Sequence, residues 1–494
     1  MAGITADSNG GRALYQTIGL ILGPILFFAV LFTSTPEGMS DAAWKTVAVA
    51  ALMASWWATE AIPVPATSLI PLVLLPVLDI TSSKEASWPY AEPVIFLLLG
   101  GFIAAMGMQR WQLHRRIALN ILARVGDHPA ALIAGFMAAS ALLSMWISNT
   151  ATTLMIVPIA ITVADTILRE KASGHKFTIA LLIGCAWAAS IGGLGTYIGT
   201  PPNLFVKGFI LQETGRDIQF LEWMAFAIPV VFTMVPLAWL VLTKICFPFK
   251  ADMVRGGQDV VQAELAEMGP ITTPERRVAI IMGIMALLWS FRQWLVEFAP
   301  LTDLLPFIAN LSDMHIAVGA GLVMFLVPSG SGEKGQALLT WESAVALPWG
   351  VILLFGGGLS LAAAIKATGL AIWAGEGMSG LATAHLYLIM LAIVGLVIFL
   401  TELTSNTATT AALVPVLGAL ATTANIDPIM LAAPTAMAAS CAFMLPVATG
   451  PNAVVFATGH LHVPDMVRAG LWLNILGTFA VTTICFLLLP LIFG

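Results

Sequence analysis

The chain has 494 residues, 59% of apolar type and only 10% charged, with a net charge of −6 and a mean hydropathy of +0.93. An ordinary soluble protein carries about 25% charged residues; so few charges cannot coat a globule of this size, and lipid must do so. Composition therefore excludes a soluble enzyme and a disordered chain, the acidic balance excludes a nucleic-acid binder, and what is left is an all-α polytopic membrane protein in a lipid bilayer.

The first apolar run, 14–33, follows a polar start with one basic residue, Arg12. A cleaved signal peptide would have a shorter core and a small-x-small site, so this run reads as an uncleaved first span. Further spans are expected near 44–62, 66–80 (short), 93–108, 178–200, 224–247, 278–297, 314–328, 346–365, 429–448 and 468–493. That makes about 11, each judged against the ~20 residues that a ~30 Å hydrocarbon core requires. Two more stretches, 130–165 and 386–422, are apolar but broken near the middle by a Ser-Asn-Thr cluster. They read as re-entrant helical hairpins, which survive only where protein or a water-filled cavity surrounds them. The polar stretch 248–277 reads as a cytoplasmic linker between two halves. The basic and aromatic stretch 109–116 is either an interfacial amphipathic helix or a plain basic loop with an aromatic anchor. Cys185, Cys246, Cys441 and Cys485 lack metal-ligand spacing and read as small core residues.

Placing the N-terminus inside puts 15 Lys and Arg on inner segments, among them Arg110, Arg115, Arg116, Arg169, Lys171, Lys250, Arg255 and Lys334. Outer segments then hold 6: Lys45, Lys84, Lys207, Arg216, Arg292 and Lys366. The positive-inside rule favours N-terminus inside and C-terminus outside.

The two halves repeat. Ser148-Asn149-Thr150-Ala151-Thr152-Thr153 recurs as Ser405-Asn406-Thr407-Ala408-Thr409-Thr410, an offset of 257. The same offset carries Gly100-Gly101 onto Gly357-Gly358, Leu113 onto Leu370, and Pro158 onto Pro415. A second pair, Gly199-Thr200-Pro201-Pro202-Asn203 and Ala448-Thr449-Gly450-Pro451-Asn452, follows at an offset of 249. Five spans separate the two hairpins, an odd number, so the repeats are inverted in topology. Secondary transporters share this plan, with the binding site at the midplane.

Ser, Asn and Thr at a hairpin tip offer neutral hard oxygens suited to a small cation. Amides freed at a half-helix N-terminus suit an anion. Thr-Pro-Pro breaks a helix, because proline removes a donor and clashes with the preceding turn. Neither motif contains Lys or Arg, so a dianion held there needs co-bound cations. Small polar residues also serve close helix packing, but duplication in register favours a ligand site. The glycines at 192, 193, 195 and 199 read chiefly as packing. Glu60 and Glu402 lie at membrane depth, where ionisable residues are functional candidates. Glu402 has Met145 as its repeat mate, and both glutamates read as structural hydrogen-bonding groups. No His-Glu-x-x-His, Gly-x-Gly-Asp or Walker-type loop is present, so the chain reads as neither an enzyme nor ATP-driven.

The hairpins, Trp57-Ala58-Thr59-Glu60-Ala61-Ile62-Pro63 and the two breaks (the second within Pro446-Val447-Ala448-Thr449-Gly450-Pro451-Asn452) resemble the divalent anion–sodium symporter family, the INDY-type dicarboxylate transporters, over nearly the whole chain. The resemblance implies a homodimer in a cytoplasmic membrane, each protomer with a scaffold and a mobile transport domain moving as an elevator. It implies sodium as coupling ion, no organic cofactor, and a C4 dicarboxylate, citrate or sulfate as substrate. On this chain 1–92 and 224–345 would be scaffold, 93–223 and 346–462 the transport parts, and 463–494 the last span. One sodium site would map onto Ser144, Ser148, Asn149 and the Gly199 carbonyl. The other would map onto Thr401, Ser405, Asn406 and the Ala448 carbonyl. The dicarboxylate would meet Ser148, Asn149, Thr150, Thr200, Ser405, Asn406, Thr407 and Thr449. Gly450 departs from the second Thr-Pro-Pro often found in the family. The expected function is sodium-coupled import of succinate-, malate- or fumarate-like anions. A sodium-independent exchanger, or a sodium-coupled citrate or sulfate carrier, is the alternative.

Overall fold

The computed structural model describes residues 12–126, 128–168, 175–249, 257–332, 335–377 and 385–494. Arg169, Lys171, Lys250, Arg255 and Lys334 of the expected inner segments lie outside these residues. Every regular element described is helical, and the one extended pairing among the described residues is the single bridge Pro328–Ala337.

Among the described residues, eight helices are long and apolar enough to cross a membrane. Seven of them match expected spans, and the eighth, Asn149–Leu168, is the return arm of the first hairpin. The other four expected spans appear as Asp41–Thr59, Val64–Val77, Asp313–Leu326 and Ile429–Ala439. The hairpins are Pro129–Ser144 with Asn149–Leu168, and Leu386–Leu400 with Asn406–Thr423. Pro158 and Pro415 occupy matching places inside the two return arms.

Side-chain size sorts the helices by depth. Lys176–Gly192 is rich in Ala and Gly, apolar all round, and buried from Phe177 to Gly192. Ile429–Ala439 is likewise buried throughout. A helix without a polar face belongs in the interior, and these two carry the breaks into the centre of the molecule. Leu14–Phe32 instead exposes Leu14, Ile18, Ile21, Ile25 and Phe28, the lipid-facing pattern. Glycine permits backbone contact at matched points. A Cβ on Gly100 would lie 2.5 Å from backbone atoms of Ala317 and Val318, and one on Gly357 would lie 2.3 Å from the Ser68 carbonyl oxygen.

The basic stretch after Arg110 forms an amphipathic helix, Leu113–Leu122, burying Leu113, Ala118, Leu119 and Leu122; it starts after Gln112 turns the chain at φ +55°. The linker 248–277 is not wholly irregular: Gly257–Glu267 is a helix packed on the first hairpin's return arm, and Thr273 already begins the next span. Lys207 and Arg292 are not outer-loop charges. Both are buried within helices beside carboxylates that neutralise them.

Candidate functional site

Each hairpin tip is closed by a carboxamide. Ser144 ends the first entering arm, fully buried, and its hydroxyl donates to Asn149 Oδ1 at 2.5 Å. In the second half Thr401 Oγ1 donates to Asn406 Oδ1 at 2.8 Å and lies 2.9 Å from the Ala439 carbonyl oxygen. The 257 offset relates both residues of each pair. It also relates Thr153, whose hydroxyl donates to the Asn149 carbonyl, to Thr410, which does the same to Asn406. Each tip thus gathers uncharged hydroxyl and amide oxygens, a donor set that fits a small hard cation such as sodium.

The breaks share a second device. Pro201 and Pro451 start the helices Pro201–Thr214 and Gly450–Phe456, where their missing N–H costs nothing. Before them the chain runs irregularly through the core, and buried carbonyls there need partners. Asn203 Nδ2 donates to the carbonyls of Gly193, Leu194 and Thr196 at 2.9–3.2 Å. Asn452 Nδ2 donates to Ala442 and Leu445 at 3.1 and 3.0 Å. The 249 offset carries 193, 196 and 203 onto 442, 445 and 452. The asparagines therefore staple the breaks that present Gly199, Thr200, Ala448 and Thr449, all buried. Thr449 Oγ1 accepts from Asn452 N at 3.2 Å as an N-cap, and Gly199 N donates to Thr196 Oγ1 at 3.0 Å.

The halves interlock crosswise. Asn149–Leu168 packs on Gly450–Phe456, and Asn406–Thr423 packs on Pro201–Thr214. Thr150 and Gly450 meet at this seam: a Cβ on Gly450 would lie 2.1 Å from Thr150 Oγ1. Gly193 does the same within the first half, since a Cβ there would meet Asn149 Oδ1 at 2.5 Å. Asn149, Thr150, Ser405, Asn406 and Thr407 are half-buried, so polar atoms at both tips remain approachable. Ser148 is exposed, and its hydroxyl accepts from Ala151 N at 3.3 Å within its own turn.

The symmetry also fails at the repeat pair Met145 and Glu402. In the first half Thr196 Oγ1 reaches back to the Met145 carbonyl at 2.7 Å. In the second, the repeat mate of Met145 is Glu402. Its carboxylate accepts from the backbone N–H groups of Phe443, Met444 and Leu445 at 2.7–3.0 Å and from Asn474 Nδ2 at 2.7 Å. Glu402 is thus a structural clamp on the second break. Sequence reasoning missed its partner Asn474, although an asparagine inside the 31-residue apolar helix Val463–Phe493 is a visible signal.

This fold and motif set recur in known proteins. The profile of the sodium:sulfate symporter transmembrane region matches residues 15–492. Sodium-dependent dicarboxylate transporters SdcS of Staphylococcus saprophyticus and Staphylococcus aureus are each 39% identical, covering 97% of this chain and 92% of theirs. The YdaH transporter of Alcanivorax borkumensis has a related fold, with a TM-score of 0.59, 16% identity and 97% of both chains covered. The chain is therefore a multi-pass membrane transporter, not an enzyme, and it belongs to the sodium:sulfate symporter family, the divalent anion–sodium symporters.

Proposed function

We propose that the protein imports C4 dicarboxylates of the succinate, malate and fumarate class, coupled to sodium, across a cytoplasmic membrane. The observation that carries this reading is the matched pair of uncharged oxygen clusters, Ser144 with Asn149 and Thr401 with Asn406, at tips that interlock with the opposite half's break. The SdcS relatives, named for sodium-dependent dicarboxylate transport and matched over nearly the whole chain, support the substrate class.

In this reading one sodium ion binds at Ser144, Ser148, Asn149 and the Gly199 carbonyl. A second binds at Thr401, Ser405, Asn406 and the Ala448 carbonyl. The dianion lies between them against Ser148, Asn149, Thr150, Thr200, Ser405, Asn406, Thr407 and Thr449. The helices Asn149–Leu168, Asn406–Thr423 and Pro201–Thr214 begin at these motifs, and their N-termini favour negative charge. The hairpins and broken helices form the moving body of an elevator. A scaffold that includes Thr273–Glu297 and Asp313–Leu326 stays fixed, in a homodimer with N-termini inside and C-termini outside. The scaffold and transport boundaries are those implied by the family resemblance above.

Uptake of labelled succinate into proteoliposomes, with and without an inward sodium gradient, tests this reading. It expects accumulation only with sodium. Uptake driven equally well by internal succinate without sodium would establish the exchanger instead.

A further inference from the structure

Four charged side chains, none of them part of a hairpin tip, meet at a largely buried point. Lys207 lies one turn beyond Asn203 on Pro201–Thr214, and Asp217 lies in the connection that follows. Arg292 lies near the end of Thr273–Glu297, and Asp313 opens Asp313–Leu326. The side chains of Lys207, Asp313 and Arg292 are 4%, 3% and 10% exposed, and that of Asp217 is 35% exposed. Two pairs are local to one body: Lys207 Nζ to Asp217 Oδ1 at 2.5 Å, and Arg292 Nε to Asp313 Oδ1 at 2.7 Å. Two longer pairs cross over: Lys207 Nζ to Asp313 Oδ2 at 3.2 Å, and Arg292 to Asp217 Oδ2 at 3.0 Å.

The helices that carry these residues fall into two packed groups. Pro201–Thr214 packs most extensively on Asn406–Thr423 and Ile429–Ala439. Thr273–Glu297 and Asp313–Leu326 pack on each other, while Pro93–Arg110 touches both groups. Resting on the two-body reading above, we propose that Lys207, Asp217, Arg292 and Asp313 are a separable latch between transport body and scaffold, at the outer end of the spans. Its chemistry suits repeated opening. When the bodies part, each keeps a neutral pair of its own, so no unpaired charge is left buried. Closing adds the two cross pairs, which favour the arrangement seen here. A static interdomain ion pair lacks this property, because parting it strands one charge on each side.

This design gives a sign test. Asp217→Asn leaves Lys207 with a partner only while the latch is closed, so opening now strands a buried ammonium. Sodium-driven succinate uptake should slow by about tenfold or more. Lys207→Met with Asp217→Asn removes the transport body's whole pair and both cross pairs, while Arg292 and Asp313 still neutralise each other. This double variant should take up succinate at least as fast as the parent. A cysteine at Ala151 should also change its labelling rate by an impermeant thiol reagent, against a background of four buried native cysteines. Sodium-dependent succinate binding in detergent should stay within about twofold of the parent in each folded variant, since none of the four residues is among the proposed sodium or dicarboxylate contacts. If Asp217→Asn does not fold, Lys207→Met is the second single variant and should slow uptake likewise. A double variant as slow as the single, or uptake unchanged in all of them, overturns the latch. Absence of sodium-dependent succinate binding in the parent would instead overturn the proposed function.

Discussion

Thr150 fills the space that any side chain at Gly450 would need: a Cβ there would sit 2.1 Å from Thr150 Oγ1 and 3.2 Å from its Cβ. The tip of one repeat is thereby seated against the break of the other, and glycine at position 450 acquires a physical reason. Gly450→Ala should push Thr150 off its position and weaken apparent succinate affinity by on the order of tenfold, with normal protein yield. Adding Thr150→Ala should cost little more, because contacting residues do not act additively. Apparent KM values for the two single variants and the double variant decide this, and strict additivity would separate the two residues.

The hydroxyls at the tips should matter without holding the fold together. Thr150→Ala or Thr407→Ala removes one hydroxyl from a site with no Lys or Arg among its proposed contacts. A hydrogen bond to a charged group is worth about 1.5–3 kcal/mol. Apparent dicarboxylate affinity should therefore fall by on the order of tenfold or more, with thermal stability in detergent unchanged. Unaltered uptake kinetics in both variants would move the substrate elsewhere.

The repeats were legible because they are written as identical letters at fixed offsets, and the hairpins because a polar cluster interrupts each apolar stretch. Lys207 and Arg292 were not, since sequence shows a charge but not the Asp217 and Asp313 that fold back beside it. The helix Gly257–Glu267 was hidden by its polar composition, which is that of a linker until it packs on the first hairpin. Interlocking across the repeats was invisible for a related reason: Thr150 and Gly450 lie 300 residues apart, and neither motif shows that the two residues touch.

Glu402 should prove structural first. Its carboxylate accepts from three successive backbone N–H groups and from Asn474. Glu402→Gln turns an amide N–H₂ toward some of those donors and removes the charge. Loss of this charge-assisted set should cost about 1.5–3 kcal/mol, seen as a lower Tm. Because the clamped segment runs directly into Ala448, the sodium activation curve should also move to higher concentration. Asn474→Ala should reproduce the Tm loss in part. An unchanged Tm in Glu402→Gln would remove the clamp.

In this protein a dianion is held among neutral groups because cations accompany it. Burying its charge unpaired would cost several kcal/mol. Linkage then requires sodium to raise dicarboxylate affinity and dicarboxylate to raise sodium affinity by the same factor. The direct measurement is succinate binding by purified protein across a series of sodium concentrations, for the parent and for Ser144→Ala with Thr401→Ala. No measurable binding is expected without sodium. In the double variant the sodium curve should be displaced by on the order of tenfold, with the succinate deficit shrinking as sodium approaches saturation. Full succinate binding without sodium, or a double variant with the parent's sodium curve, would contradict cation-compensated binding of the dianion.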